Sequence, residues 1–266
     1  MYRLIISDLD GTLRPYDGQL SVATKDAAAQ AMNAGCRFTL ATGRVPQSVA
    51  SFADELQVNA PLICCSGGLV INHRTREEWY RRPFPVDLVH EVMRFVIEQG
   101  LRFSVYLDDY ATSLRKDGPG ERFVESINGE KRRVITQPFA YLRRDPINCL
   151  VWLDRLEDRA RVLPLLRARV GGAVRAIQTT PTLIECIPAD VTKAHAASIL
   201  ARRLGICREE VMALGDNDND VELLQWAGLS VAVGNASPAT RAVAHHVVSG
   251  VTEDGAAQAI LRFILS

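Results

Sequence analysis

Two stretches of this chain alternate apolar, strand-like runs with helix-like ones, and the stretch between them does not. That alternation is the tightest constraint on the fold, because strands separated by helices pair in parallel and carry the helices on their faces. In the first stretch, residues 3–9 read as a buried strand and the alanine-rich "SVATKDAAAQAMNA" (21–34) as a helix stopped by Gly35. "CRFTLAT" (36–42) reads as a strand, 46–57 as a helix and "APLICCS" (60–66) as another buried strand. The pattern resumes with helix 193–204, strand 211–216, helix 219–226, strand 229–234, a helix from 238, strand 245–249 and helix 253–264. The middle reads as helix 86–99, strands 102–107 and 111–115, a looser 116–145, strand 147–153, an arginine-rich helix 155–169 and a hairpin turning near Pro181. Hairpins mixed with helices suggest an α+β layer, a candidate second domain set between two halves of the first.

The 266 residues suffice for one large domain or two modest ones. Lys and Arg number 31 and Asp and Glu 31, so no basic excess draws the chain to nucleic acid or to a membrane surface. No basic-aromatic motif argues for nucleic acid either. The longest apolar runs stop short of a membrane span. The opening "MYRLIISDLD" is a strand carrying acids, unlike a signal peptide. Six cysteines show no metal-ligand spacing and fit the reduced thiols of a cytoplasmic protein.

Chemistry concentrates at four places. In "IISDLDGTL" (5–13), Asp8 and Asp10 stand two apart, where a strand projects them to one side. Like charges so close are unfavourable unless something uses or neutralises them, although a strand running into an Asp-Gly turn would also give this sequence. The others are "TGR" (42–44), Lys193 and "GDNDND" (215–220). All but Lys193 follow strands, and in an open parallel sheet ligands bind beyond the carboxyl ends of strands. Lys193 opens a helix, where the backbone N-terminus favours an anion.

"GDNDND" has two ordinary readings, as a capping turn and as a calcium loop. The loop fails, since Val221 and Ala227 stand where it needs glycine and a bidentate glutamate. Magnesium asks for one or two carboxylates, with water and substrate phosphate completing its shell, and Asp8 and Asp216 can supply them. Thr42 and the backbone at Gly43 offer a hydroxyl and N–H groups to an anion. Arg44 alone reads as a surface residue. Lysine occurs only at 25, 116, 131 and 193, against 27 arginines, so Lys193 is either a chosen point charge or a chance surface lysine. His195, His245 and His246 lack companion ligands and read as ordinary polar or half-buried side chains.

In order and approximate spacing, "DLDGT" (8–12), "TGR", Lys193 and "GDNDND" resemble the four motifs of the haloacid dehalogenase-like superfamily. The insert between the second and third looks like the cap of its Cof-type branch (subfamily IIB), whose members include sugar-phosphate phosphatases. The resemblance implies an α/β protein: a doubly wound, Rossmannoid parallel-sheet core from 1–82 and 188–266, with an inserted α/β C2-type cap over 83–187. It implies Mg2+-dependent hydrolysis of a small phosphorylated metabolite, such as a sugar phosphate, by a monomer or weak homodimer.

The residue roles come from the same resemblance. Asp8 would be the nucleophile, forming an aspartyl-phosphate. Asp10 would be general acid and then base, its backbone carbonyl helping Asp8 and Asp216 hold the metal. Thr42, Gly43, Lys193 and Asn219 would contact the phosphoryl group or orient its neighbours. Asp220 would support the metal shell through water or Lys193, and Arg44 would support the site. Such chemistry asks for an ionised Asp8 and an Asp10 whose pKa is raised. A phosphomutase on the same fold and a non-catalytic phosphometabolite sensor are the alternatives. The chain departs from the family pattern at "CSGG" (65–68), where Asn-Gly is common, and at Ala194-His195, where glycine usually follows the lysine. Arg115, Lys116, Arg143 and Arg144 are cap side chains that could reach substrate, with plain solvation as the other reading.

Overall fold

The computed structural model describes residues 2–107, 110–113, 133–134, 139, 146–180 and 182–265. The chain divides into two compact units, one formed by Met1–Tyr80 with Thr192–Ser266 and the other by Arg81–Val191. Arg115, Lys116, Arg143 and Arg144, and nearly all of 116–145, lie outside the described residues.

The first unit is built on strands β1 (Leu4–Ser7), β2 (Arg37–Leu40), β12 (Val211–Gly215), β13 (Leu229–Ala232) and β14 (His246–Val247), in the order β14-β13-β12-β1-β2. Every pairing is parallel. β1 and β12 are buried along their whole length, which is why both read as continuous apolar runs. Leu4 and Ile6 share a core with Ala196, Ala197 and Leu200 of helix α5 (Lys193–Arg203) and with Leu223 and Leu224 of α6 (Val221–Trp226). α1 (Val22–Asn33) packs against α8 (Gly255–Ile264). Ser21 caps α1, its Oγ accepting from the Thr24 amide at 3.0 Å. α2 (Pro46–Glu55) starts with proline, and α7 (Pro238–Val243) does too.

The order of strands puts the reversal of winding between β1 and β12. From β1 the chain runs outward to β2, and on its return it lays β12 on the other side of β1 before continuing to β13 and β14. A crevice opens at the carboxyl ends of strands at such a point. Beyond β2, Ala41 bridges in parallel to Ile63 of β3 (Leu62–Cys64).

The chain then turns back through Cys65, Ser66 and Gly67, all at positive φ, into β4 (Leu69–Ile71), antiparallel to β3. β5 (Glu78–Arg81) completes this small sheet. Two three- and four-residue strands after an unusual turn give too little periodicity to stand out in sequence. Gly67 is demanded twice: its φ is +104°, and a Cβ there would lie 2.2 Å from the Thr192 carbonyl oxygen. The turn therefore abuts the N-terminus of α5, whose first residue is Lys193.

The second unit is a sheet in the order β10-β11-β9-β6-β7-β8, with β6 at Arg102–Leu107, β7 at Tyr110–Ser113, β8 at Arg133–Val134, β9 at Asn148–Trp152, β10 at Val174–Thr180 and β11 at Leu183–Pro188. Its pairings are antiparallel apart from β7 with β8. Alternation sorts its faces. Phe103, Val105, Cys149, Val151, Ile184 and Cys186 form one core with Val92 and Val96 of α3 (Val86–Glu98) and Val162 and Leu166 of α4 (Asp158–Val170). The alternate positions carry polar pairs: Trp152 Nε1 donates to Ser104 Oγ at 2.9 Å, and Asn148 Nδ2 to Glu185 Oε1 at 2.8 Å.

Candidate active site

Asp8 is the first residue beyond β1, its amide still donating to the Leu214 carbonyl of β12 at 2.9 Å. Its side chain is buried, and Lys193 Nζ donates to its Oδ1 at 2.6 Å. The same ammonium donates to Asp220 Oδ1 at 2.6 Å. Lys193 is 1% exposed. Thr192 caps α5 by accepting from the His195 amide at 2.9 Å, which fixes the first turn and aims the lysine into the crevice. Burial works against its charge, but Asp220 and Asp8 outweigh burial and hold its pKa above the ordinary lysine value.

Asp216 follows β12 and is buried. Its Oδ1 accepts from Thr12 Oγ1 at 2.8 Å and its Oδ2 from the Tyr16 hydroxyl at 3.2 Å. Asp220 Oδ2 accepts the amides of Asp216 and Asn217, each at 3.1 Å, so Asp220 pins the turn that presents Asp216. Asn219 lies half-buried in the same turn. Gly11 makes room for Asp216: its φ is +90°, and a Cβ there would lie 2.3 Å from Asp216 Oδ2.

Thr42 follows β2 and is buried, its Oγ1 accepting from the Arg44 amide at 3.1 Å. Gly43 beside it is half-buried. Arg44 is no surface residue. Its Nε donates to Asp10 Oδ2 at 2.6 Å and its Nη2 to Asp10 Oδ1 at 2.9 Å. Arg14 Nη1 also pairs with Asp10 Oδ1. Both oxygens of the Asp10 carboxylate thus face guanidiniums.

Carboxylate oxygens of Asp8, Asp216 and Asp220 lie within 4.8 Å of one another. Burial pushes Asp8 well above the usual carboxylate range; Lys193 opposes this, and Asp220 and Asp216 add to it. Burial, then Asp220, lifts Asp216 to about 6. The carboxylate whose charge is hardest to hold is therefore Asp8. Three acids share one ammonium, a deficit of two positive charges that a divalent cation balances. Oxygen donors only, with hydroxyls already fixing Asp216, suit a hard cation.

Residues 5–260 match the family described as haloacid dehalogenase-like hydrolase. The chain belongs to that family. It is 28% identical over 276 residues to the pyridoxal phosphate phosphatase YbhA of Escherichia coli, covering 99% of each chain. It is 26% identical over 271 residues to the chloroplastic endoribonuclease YBEY of Arabidopsis thaliana, of which it spans 46%. Its fold matches the crystal structure of a haloacid dehalogenase-like hydrolase from Bacteroides thetaiotaomicron, with a TM-score of 0.88 and 26% identity over 98% of this chain and 99% of that one.

In this haloacid dehalogenase-like hydrolase the buried carboxylate cluster sets Asp220 beside Asp8 and Asp216, while the sequence offers Asp10 to a metal through its backbone carbonyl. Four further residues shape the site. Thr12 and Tyr16 hold Asp216, and Arg14 holds Asp10. Asn235, just past β13, donates to the Gly11 carbonyl at 2.8 Å and ties the "DLDGT" loop to the next strand end. Its signal was available: a polar residue beyond a parallel strand, in "VGNAS" (233–237). The histidines sit apart from the cluster. His195 meets Tyr80 edge-on, His245 Nδ1 accepts the Ser230 amide at 3.0 Å, and His246 stacks on Phe263.

Proposed function

We propose that this chain is a Mg2+-dependent phosphatase of small phosphorylated metabolites that works through an aspartyl-phosphate on Asp8. The observation that carries the reading is a buried carboxylate at the end of the central strand, gripped by a buried lysine and one oxygen cluster away from Asp216. The chain is a phosphoric monoester hydrolase of the haloacid dehalogenase-like family. That class is supported by the family match and by the phosphatase to which it is similar over its whole length.

Asp8 attacks phosphorus, the P–O bond to the substrate alcohol breaks, and Asp10 gives that alcohol its proton. Asp10 then takes a proton from water, which attacks the aspartyl-phosphate and releases inorganic phosphate and free Asp8. Lys193 Nζ holds Asp8 Oδ1, which leaves Oδ2 to face phosphorus. Thr42 accepts through its oxygen and so keeps its own hydrogen for a phosphoryl oxygen. Asp8, Asp216 and the Asp10 carbonyl would hold Mg2+. Bound there, Mg2+ supplies the positive charge that keeps Asp8 ionised and screens the phosphoryl oxygens from it. The substrate is a phosphate ester of a small alcohol, as is the pyridoxal phosphate named for the Escherichia coli relative.

Phosphate release from a panel of monoesters, with and without Mg2+, tests this. Turnover that needs Mg2+ and no bisphosphate is expected. Stimulation by a bisphosphate would make the protein a phosphomutase, and tight binding of an ester with none turned over would make it a sensor.

Metal binding also has a pH signature. In the metal-free protein Asp216 has a folded-state pKa near 6, above its unfolded value. Its contribution to stability is present at low pH and is lost as pH rises through about 6. Mg2+ relieves that loss, so it should raise Tm more above pH 6 than below it. Thermal melts in EDTA and in Mg2+ across that range measure the difference, and an equal shift on both sides would count against metal binding at Asp216.

A further inference from the structure

Asp10 is the one member of the motif set whose carboxylate is saturated by cations. Both of its oxygens carry guanidinium contacts, and the two arginines differ in how they are held. Arg14 is rooted in its own loop. Its Nε donates to the Gly18 carbonyl at 2.8 Å, its Nη2 donates to the Gly18 and Tyr16 carbonyls, and the Gly11 amide donates to the Arg14 carbonyl at 2.7 Å. Arg14 is 6% exposed and its guanidinium lies 5.0 Å from the centre of the Phe52 ring. Arg44 lies over the same ring at 5.3 Å, and its backbone is held by Thr42 and Cys65, but beyond Asp10 its guanidinium donates only to the Ser48 carbonyl, at 3.4 Å, among the described residues.

A general acid must offer one oxygen to the leaving alcohol while keeping its position. The fork of Arg44 spans both Asp10 oxygens, whereas Arg14 touches only Oδ1. We propose that Arg14 is the fixed positioning residue of Asp10: it anchors the carboxylate through Oδ1 and leaves Oδ2, which it does not touch, to face the leaving group when the guanidinium of Arg44 gives way. The proposal rests on the phosphatase reading above. Among the described residues Arg14 hydrogen-bonds neither to the carboxylate cluster nor to the phosphoryl-binding Thr42 and Lys193, so its effect should be confined to proton delivery.

Leaving-group dependence separates this role from a structural one. A nitrophenolate departs without a proton, and an alkoxide does not. The readout is kcat/KM, which covers the steps up to departure of the alcohol, for p-nitrophenyl phosphate and for the alkyl monoester turned over fastest in the panel. In Arg14→Gln, kcat/KM for the alkyl ester should fall by about tenfold to a hundredfold, and for p-nitrophenyl phosphate by less than about threefold. Arg14→Lys, which keeps one charged donor, should recover part of the alkyl-ester rate, and it carries the same comparison should Arg14→Gln fail to fold. Equal losses on both esters, or no loss on either, would overturn the proposal and leave the phosphatase reading standing. Absence of turnover by the wild-type protein on every ester would instead remove that reading.

Discussion

Asp8→Asn should fold, and should lose phosphate release by about a thousandfold or more, as removal of a nucleophile does. The amide keeps the shape of the carboxylate but has no charge with which to attack phosphorus. The fold should tolerate it because the ionised carboxylate is itself costly: burial disfavours its charge, and Asp220 and Asp216 add repulsion. A neutral group ends that repulsion, while Lys193 keeps its pair with Asp220. The metal-free variant should therefore melt no lower than the metal-free wild type, and Mg2+ should raise its Tm less. Single-turnover phosphate release and melts with and without Mg2+ read both effects. Activity near the wild-type level would end the aspartyl-phosphate mechanism.

The role of Asp8 draws on one feature that the sequence shows and another that it does not. "IISDLDGTL" displays two acids at the end of an apolar run, and the parallel alternation around it places them at a strand's carboxyl end, where β1 indeed delivers Asp8. The same reasoning sets "TGR" and "GDNDND" at the carboxyl ends of strands in one crevice, and gives Lys193 only the start of a helix. It could not see what Asp10 faces. The alternation of a strand would set Asp8 and Asp10 side by side, but β1 ends at Ser7, and Asp10 already belongs to a loop that turns it to Arg14 and Arg44. Arg44 alone reads as a surface residue because a guanidinium's partner 34 positions earlier leaves no local trace.

The same limit explains the hidden parts of the first unit. Thr12, Tyr16 and Asn235 act on groups far away in sequence: Asp216 lies 204 residues from Thr12 and 200 from Tyr16, and Gly11 lies 224 from Asn235. Such contacts follow only from knowing that β1 pairs with β12 and that β12 pairs with β13. Longer elements were legible because local physics defines them. Ser21 and Gly35 bound α1 through a cap and a left-handed exit, and β10 and β11 show as two strand-like runs on either side of Pro181 in the sequence. The strand pair β4 and β5 leaves little trace in the sequence because a turn of three positive-φ residues precedes it and each strand is a few residues long.

Lys193→Met should have two large and separable consequences. The ammonium is the cation paired directly with both Asp8 and Asp220, all three side chains being nearly or wholly buried. Removing one partner of a buried ion pair costs about 3–5 kcal/mol, less whatever the stranded acids recover by taking up protons. That recovery gives the loss a pH dependence. With Asp216 already at about 6 in the wild type, and the ammonium gone, the metal-free variant should be least stable above pH 6 and regain stability below it. Turnover should fall by a further route, since no ammonium then faces the phosphoryl oxygens; one such donor is worth about a hundredfold to a thousandfold. Mg2+ binding should persist or tighten, because three carboxylates now meet the metal without an internal cation. Lys193→Arg should rescue neither effect. The chain carries 27 arginines and four lysines, so a guanidinium was the common choice elsewhere, but a planar fork cannot place one point charge 2.6 Å from two different carboxylates in so closed a space. Full activity in Lys193→Arg would show that the position needs only positive charge, and that its compactness carries no function.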